Sequence, residues 1–216
     1  MGFIFGQKNS MAKISKADKH ITDKYDLSGD SPKTIHGTRW DVLPAIFKDF
    51  GYKVGVEVGV ELGRFARTLA RKVPDLKLYG VDPWVRYADQ WENHDPDEFY
   101  KKCVEDCAPY NIELIRKFSM DAVKDFDDGS LDFVYIDGNH DFPHVTEDIN
   151  AWGKKVRKGG IISGHDYVFE RIMKAHAGYV VRDWTDVYYI KPWYIIDELE
   201  RGGRPGWFWV KQHETN

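Results

Sequence analysis

The sequence predicts an α/β domain in which a mostly parallel sheet is covered by helices on both faces. Strand-like apolar segments alternate with segments of helical periodicity along most of the chain, and this alternation is typical of parallel strands joined by crossover helices. The clearest unit, at 52–70, is a strand, a glycine turn and a helix start. The 216 residues suffice for one substantial domain and are few for two.

Composition narrows the function classes. The apolar fraction of 42% and the charged fraction of 31% are ordinary for a soluble globular protein. The net charge of −4 indicates no general attraction to nucleic acid, and no stretch approaches the roughly 20 apolar residues of a membrane span. Cys103 and Cys107 have helical spacing and are predicted to lie on a buried helix face. A reducing compartment, the cytoplasm, is therefore expected.

The N-terminal part of the chain is predicted to divide near residue 35. Residues 1–35 are polar and lysine-rich, and we expect an arm or lid there rather than core. Residues 36–216, in which strand-like and helix-like segments alternate, are expected to form the folded domain. Its first helix is expected at 38–50, where Thr38 and Asp41 resemble a capping box and Gly51 ends the helix.

The glycine turn at 59–63 is the predicted ligand site. Valine alternation predicts a buried strand before it, and a helix is expected to begin at Arg64. Gly59 and Gly63 would let a ligand approach the backbone, while the helix N-terminus offers free N–H groups. The alternative is an ordinary crossover whose glycines serve packing alone.

The second strand, at 76–82, ends in Asp82, and an acid at this place commonly holds ribose hydroxyls. The turn departs from the dinucleotide pattern G-x-G-x-x-G, because only Gly59 and Gly63 are present. Glu61 would repel a pyrophosphate. A phosphate-free adenosine cofactor, S-adenosylmethionine, therefore fits better than NAD, although an NAD-dependent oxidoreductase stays open as an alternative.

The rest of the chain continues the alternation after a long connection at 83–110, in which Trp84 and Tyr87 either line a substrate pocket or pack internally. Ser119 is predicted to begin a short helix. Further strands are expected at 112–118, 131–137, 161–166, 187–190 and 206–210, and further helices at 95–107, 141–156 and 168–176.

Acidic and histidine side chains follow several predicted strands. Asp137 ends one strand, and His165 and Asp166 end another. Because the carboxyl ends of parallel strands share one edge, these residues should converge with Asp82. Asp137, His165 and Asp166 could then hold Mg²⁺ or another divalent metal, which would lower the pKa of a substrate hydroxyl. His140 could act as general base. Alternatively, Asp137 caps a turn and His165 satisfies buried backbone.

Four segments together resemble the class I S-adenosylmethionine-dependent methyltransferases, and within them the small-molecule O-methyltransferases of methyltransferase family 24. The segments are EVGVELG at 57–63, GVD at 80–82, YIDGNH at 135–140 and KGGIISGHDY at 158–167. The resemblance covers about residues 52–167. It implies a Rossmann-like, doubly wound sheet of seven strands, mostly parallel with the last strand antiparallel.

The resemblance also implies roles for individual residues. Glu57 and Gly59 would shape the methionine end of the cofactor site, and Asp82 would hold the ribose. The other positions with an implied cofactor contact are Val60, Glu61 and Gly63 in the turn, Ser119, Met120 and Asp121 beside the adenine, and Asp137. Asp137, His165 and Asp166 would be the metal ligands, although His165 stands where the metal-dependent relatives carry an acid or amide. His140 falls where the catechol-type enzymes carry a lysine base, so His140 and Asp137 are the predicted catalytic residues.

The predicted function is methyl transfer from S-adenosylmethionine to a hydroxyl of a small molecule, with a sugar or glycosylated natural product as first choice and a divalent metal as an optional aid. A non-catalytic cofactor-binding module is a further alternative. A nucleic-acid methyltransferase is disfavoured by the net charge. The aromatic C-terminal third could form an interface between copies of the chain.

Overall fold

The structure is a computed structural model and describes residues 15–86, 95–139, 142–167, 193–198 and 204–212. The helices in these residues are α1 Lys16–Lys24, α2 Arg39–Asp49, α3 Arg64–Lys72, α4 Pro96–Cys107, α5 Ser119–Ala122 and α6 Phe142–Lys155. The strands are β1 Lys33–His36, β2 Val54–Val58, β3 Lys77–Val81, β4 Ile112–Ile115, β5 Leu131–Ile136, β6 Val156–Gly164, β7 Trp193–Asp197 and β8 Gly206–Val210. The elements predicted at 168–176 and 187–190 lie outside the described residues.

The strands form one sheet in the order β1-β7-β8-β6-β5-β2-β3-β4. Strand β8 runs antiparallel to its neighbours β6 and β7, and every other pair in the described sheet is parallel. The predicted α/β class, with a mostly parallel sheet and an antiparallel last strand, is therefore confirmed. The described sheet has eight strands rather than seven, because β1 pairs with β7 at one edge.

The N-terminal range is more closely packed than the sequence predicted. In α1, Ile21 is fully buried in the core, and the buried Asp18 accepts hydrogen bonds from the Tyr194 hydroxyl and the Gln212 side chain. In β1, Ile35 is buried opposite Ile196. The expectation of an arm rather than core is thus wrong for α1 and β1, whose partners come from the far end of the chain. A lid role for earlier residues stays a prediction, because residues 1–14 lie outside the described ranges.

The core forms on both faces of the sheet because strand residues alternate between them. In β5, Phe133 and Tyr135 pack with α2 and α3 on one face, while Val134 and Ile136 pack with α6 on the other. Stacking of Phe47 on Phe133, with ring centroids 4.0 Å apart, ties α2 to the sheet centre. This two-faced burial explains the near-continuous apolar runs of the central strands. No helix in the described ranges combines the length and apolarity needed to cross a bilayer.

The C-terminal ends of the central strands lie side by side. The Asp137 backbone N–H donates to the Val58 carbonyl at 2.7 Å, and the Gly59 N–H donates to the Val81 carbonyl at 2.8 Å. The His165 N–H donates to the Ile136 carbonyl at 3.1 Å. These bonds extend the strand ladders by one residue, so the residues that follow β2, β3, β5 and β6 emerge together at one edge of the sheet.

Candidate functional site

The glycine turn between β2 and α3 lies against the end of β5. Gly59 has a φ of +89°, and a Cβ placed on it would come within 2.2 Å of the Asp137 carbonyl oxygen. Gly63, the residue before α3, has a φ of +65°, and a Cβ there would lie 2.7 Å from the Cys107 sulfur. Both positions therefore exclude side chains by conformation and by space. The turn predicted from sequence is present, and it is held between β5 and α4.

Asp82 fastens this turn to the end of β3. One carboxylate oxygen accepts hydrogen bonds from the backbone N–H groups of Val60 and Glu61, each at 3.0 Å, and the other accepts from the Trp84 N–H at 2.8 Å. Burial raises the pKa of Asp82, while the three N–H donors oppose that rise. Asp82 thus orders the turn that sequence reasoning also assigned to the cofactor. Its predicted contact with ribose stays a prediction, and a carboxylate has lone pairs for further donors.

Trp84 packs inside the domain. Its indole N–H donates to the Glu61 carbonyl at 2.9 Å, its ring lies 4.8 Å from that of Tyr100, and the side chain is almost fully buried with Cys103 and Cys107. The internal alternative for Trp84 is therefore correct, and the two cysteines occupy the buried helix face that their spacing indicated. Tyr87 lies outside the described residues.

Glu57, in β2, is a buried acid in the wall of the site. It is 2% exposed, and its Oε2 has no hydrogen-bond partner in the described part of the chain. Burial and, after it, the negative charge of Asp137 raise the pKa of Glu57 well above its ordinary value. A buried acid in this position favours a cationic ligand. S-adenosylmethionine fits this requirement, because it carries an ammonium group and a sulfonium group, both positively charged.

The predicted adenine-side residues lie at the start of α5. The Ser119 hydroxyl donates to Asp148 of α6 and accepts the Trp152 indole N–H at 2.7 Å. Asp121 forms an exposed ion pair with Lys124, with 2.8 Å between the carboxylate oxygen and Nζ. Burial raises the pKa of Asp148 to about 6. Both hydrogen bonds of the Ser119 hydroxyl are therefore made with side chains of α6. Met120 is partly buried and packs against the same hydrophobic cluster. Sequence reasoning did not identify Asp148, which stands within an ordinary amphipathic helix.

Asp137, His165 and Asp166 converge as their positions at strand ends predicted. One ligand atom of each lies within 4.8 Å of the others. The His165 Nδ1 is 3.6 Å from Asp137 Oδ1 and 3.3 Å from Asp166 Oδ1. Asp166 adopts a φ of +56°, and it also approaches Arg204 at 3.5 Å. The proposed base His140 lies outside the described residues.

Arg39 and Glu198 belong to this cluster, although the sequence did not point to them. The Arg39 Nη1 lies 2.6 Å from His165 Nε2. Glu198 accepts from the Arg39 backbone N–H and from its Nη1, both at 2.8 Å. Arg39 is the first residue of α2 and Glu198 follows β7, so only the packing of α2 beside β7 brings them together. No motif marks either residue.

A divalent metal suits the residue types at this cluster but not their arrangement around His165. Arginine has only donors, so His165 Nε2 must accept from Arg39 and the ring proton must reside on Nδ1. That N–H faces Asp137 and Asp166. Neither ring nitrogen then has a lone pair available to a cation, which leaves two carboxylates of the predicted ligand set.

Solved structures with this fold include O-methyltransferases. The O-methyltransferase TomG of Streptomyces achromogenes, in complex with S-adenosylmethionine, is 15% identical, has a TM-score of 0.60, and is matched over 94% of this chain and 92% of its own. The O-methyltransferase of Bacillus cereus, in complex with S-adenosylhomocysteine, is 16% identical with a TM-score of 0.60, over 93% of this chain and 91% of its own. These similarities confirm the fold.

Two curated relatives are uncharacterised proteins. The y4gI protein of Sinorhizobium fredii is 23% identical over 142 residues, which are 65% of this chain and 15% of that protein. The R132 protein of Acanthamoeba polyphaga mimivirus is 30% identical over 117 residues, 52% of this chain and 50% of that protein. The chain therefore matches half or less of the length of either relative.

The family comparison bears directly on the residues of the site. The family 24 model, described as a methyltransferase domain, matches residues 56–167, which is more than half of the 216 residues. The matched range runs from the glycine turn through Asp82 and Asp137 to the His165–Asp166 pair. The resemblance noted in the sequence is confirmed, and the chain belongs to methyltransferase family 24 of the class I S-adenosylmethionine-dependent methyltransferases.

Proposed function

We propose that this protein transfers the methyl group of S-adenosylmethionine to a hydroxyl of a small molecule. The observation that carries the proposal is the single edge at which β2, β3, β5 and β6 end. It combines the glycine turn, the buried and unpaired Glu57 Oε2, and the acidic cluster around His165. When bound, S-adenosylmethionine supplies a methyl group made electrophilic by its cationic sulfur.

The chain's own residues divide into a cofactor side and an acceptor side. On the cofactor side, Glu57 compensates positive charge, Asp82 and the turn present backbone to the adenosine, and α5 borders the adenine. On the acceptor side, Asp137 and His140 are proposed to orient the hydroxyl and take its proton. Holding the reacting atoms in line supplies much of the rate enhancement in such a transfer.

The acceptor is proposed to be a small molecule, with a sugar or glycosylated natural product as first choice by family analogy alone. The net charge of −4 supports a small acceptor over nucleic acid. A cytoplasmic location, the absence of a membrane partner and self-association through the C-terminal third stay predictions.

Metal assistance is the alternative form of this proposal. Asp137 and Asp166 could hold Mg²⁺ or another divalent ion, which would lower the pKa of the acceptor hydroxyl. The contact between Arg39 and His165 weighs against that form. NAD-dependent oxidation is disfavoured by the glycine pattern, and a binding module without catalysis remains an outcome of the test below.

Thermal unfolding with S-adenosylhomocysteine and with NAD tests the cofactor class. Ligand at about 100 times its dissociation constant adds roughly 2.7 kcal/mol, or about 2–4 °C in a domain of this size. We expect that shift with S-adenosylhomocysteine alone. Glu57→Gln removes the acid that can ionise beside a bound cation, so this variant should lose most of the shift.

The matched control is Asp75→Asn, which makes the same acid-to-amide change. The Asp75 side chain is 82% exposed and lies just before β3, at the N-terminal end of the strands and away from the site. It should keep the full shift. A shift with NAD alone would overturn the proposal. Turnover assays with glycosylated acceptors then separate an enzyme from a binding module.

A further inference from the structure

We propose that Arg39, held by Glu198, positions His165 so that the acceptor side of the site operates with the chain's own positive charge and without a divalent metal. The inference rests on the proposed methyl transfer and adds a positioning residue to it. Arg39 acts through His165 and is not itself assigned a contact with substrate.

Arg39 is held firmly by Glu198. Glu198 accepts from both the backbone N–H and the guanidinium of Arg39, each at 2.8 Å. The side chains are 15% and 5% exposed. A buried, charge-assisted, two-point contact of this kind is stronger and more directional than a surface ion pair. Because the Arg39 backbone N–H fixes the Glu198 carboxylate in place, the guanidinium can swing away only by breaking a buried, charge-assisted hydrogen bond.

The contact with Arg39 determines which ring nitrogen of His165 carries the proton. Arg39 donates to Nε2 at 2.6 Å, so Nε2 must be the unprotonated nitrogen and the Nδ1–H must face Asp137 and Asp166. The partner of one ring nitrogen thereby sets the role of the other. His165 becomes a hydrogen-bond donor toward the carboxylates instead of a ligand beside them.

Positive charge from the chain lies close to the acids of this site. Three acids border this part of the site, namely Glu57, Asp137 and Asp166. Arg39 is close enough to Glu57 to oppose the rise in that residue's pKa, and Arg204 approaches Asp166 at 3.5 Å. Asp137 and Asp166 thus already have an N–H or cationic partner from the chain, and Arg39 offsets part of the negative charge around Glu57. A divalent ion held by Asp137 and Asp166 would lie beside the Nδ1–H and near a fixed guanidinium, and both repel it.

The state of His165 can be measured directly in the wild-type protein. Long-range ¹H–¹⁵N spectra of histidine-labelled protein distinguish a protonated from an unprotonated ring nitrogen, and the His165 signals are those missing from His165→Gln. We expect protonated Nδ1 and unprotonated Nε2. A proton on Nε2, alone or together with Nδ1, would overturn the proposal. This measurement needs neither cofactor nor turnover.

Metal affinity gives the second, independent readout. Mn²⁺ alone is titrated into the protein and the free ion is followed by electron paramagnetic resonance. Arg39→Met removes the guanidinium and lets the ring proton move to Nε2, which leaves Nδ1 free to act as a ligand beside Asp137 and Asp166. Mn²⁺ should therefore bind at least about tenfold more tightly than to wild type. Arg39→Lys keeps the charge and should stay close to wild type. Arg157→Met removes an arginine whose partner Asp132 lies at the opposite end of β5, and it should change nothing.

Equal Mn²⁺ affinity in wild type and Arg39→Met, whether tight or undetectable, would overturn the proposal. If Arg39→Met does not fold, the histidine spectrum of wild type still decides the question. S-adenosylhomocysteine binding is measured separately on the same samples. If the wild-type protein binds S-adenosylhomocysteine but carries the His165 ring proton on Nε2, only this inference is contradicted. If the wild-type protein does not bind S-adenosylhomocysteine, the proposed function is contradicted.

Discussion

At the scale of single residues, the described part of the chain contains several buried acids whose surroundings oppose their ionisation. Asp148 is the most informative one, because its partners are defined. It accepts from Ser119, whose hydroxyl also holds the Trp152 indole N–H. The acid therefore links α5, on the predicted adenine side, to α6. Burial sets its pKa near 6 despite the Ser119 hydrogen bond.

Asp148→Asn should remove part of the pH dependence of stability. The folded-state pKa is about 6 against an ordinary value of 3.8, so the folded state binds more protons between these values. The free energy of unfolding should therefore fall as pH rises from about 4 to about 6, by up to about 3 kcal/mol. Urea unfolding at pH 4.5 and 7 should show a smaller decrease in Asp148→Asn than in wild type.

The control for this prediction is Asp128→Asn, which changes an exposed acid of a surface ion pair and should keep the wild-type pH dependence. Other buried acids with raised pKa values, Glu57 among them, contribute to both curves, so the difference between the curves is the quantity that counts. Parallel curves for wild type and Asp148→Asn would refute the assignment.

At the scale of elements, the turn between β2 and α3 is the part of the site that tolerates least change. Gly59 combines a positive φ with a direct approach to the β5 backbone. The turn is also fastened to β3 through Asp82. A displacement of the turn would therefore separate Glu57 and Asp137 from the amides that border the same site.

Gly59→Ala should lower both stability and cofactor affinity. The added methyl group meets the Asp137 carbonyl at 2.2 Å, so the turn must move in addition to bearing the left-handed conformation, which costs about 1–2 kcal/mol by itself. Thermal unfolding should show a larger loss for Gly59→Ala than for the control, together with loss of the shift caused by S-adenosylhomocysteine.

Gly129→Ala is the matched control, since Gly129 has a φ of +71° but nothing within 4 Å of its added Cβ. It should show only the conformational cost and keep the ligand-induced shift. Equal losses in the two variants would mean that the approach of the turn to β5 has no energetic consequence.

At the scale of the whole molecule, the two ends of the chain complete one half of the sheet together. Strand β1 pairs with β7, and α1 packs over the same region. Asp18 accepts the Tyr194 hydroxyl at 3.0 Å and a hydrogen bond from the Gln212 amide. Because Glu198 follows β7, this junction also supports the clamp on Arg39.

Tyr194→Phe should loosen α1 more than the sheet centre. The hydroxyl is buried against Asp18, and removal of one partner of a buried acceptor costs about 1–3 kcal/mol. Amide hydrogen exchange should accelerate in α1 and β1, while β2 and β5 change less. The control is Tyr52→Phe, which removes a hydroxyl that donates to the Gly159 carbonyl at 2.7 Å. This variant also loses a buried tyrosine hydroxyl, but amide exchange in α1 should not accelerate more than amide exchange in β5.

The sequence by itself determined the fold class and the convergence of three side chains, Asp137, His165 and Asp166, at the C-terminal ends of the central strands. Strand and helix periodicities are local properties, and parallel strands place their C-terminal residues at one end of the sheet. The meeting of Asp137, His165 and Asp166 was therefore predictable from the order of strands and helices, whereas Asp82 at the end of β3 binds the glycine turn. The glycine turn was equally readable, because its conformation excludes side chains.

Only the tertiary structure decided which remote segments meet. The pairing of β1 with β7, the internal packing of Trp84, and the Ser119–Asp148 and Arg39–His165 contacts carry no local signature. The physical reason is that periodicity reports which face of an element is buried, whereas partners across the sheet are chosen by packing and by the compensation of buried charge. Those choices, made over separations such as the 126 residues between Arg39 and His165, determine whether a convergent set of acids and a histidine holds a metal or works through the chain's own cations.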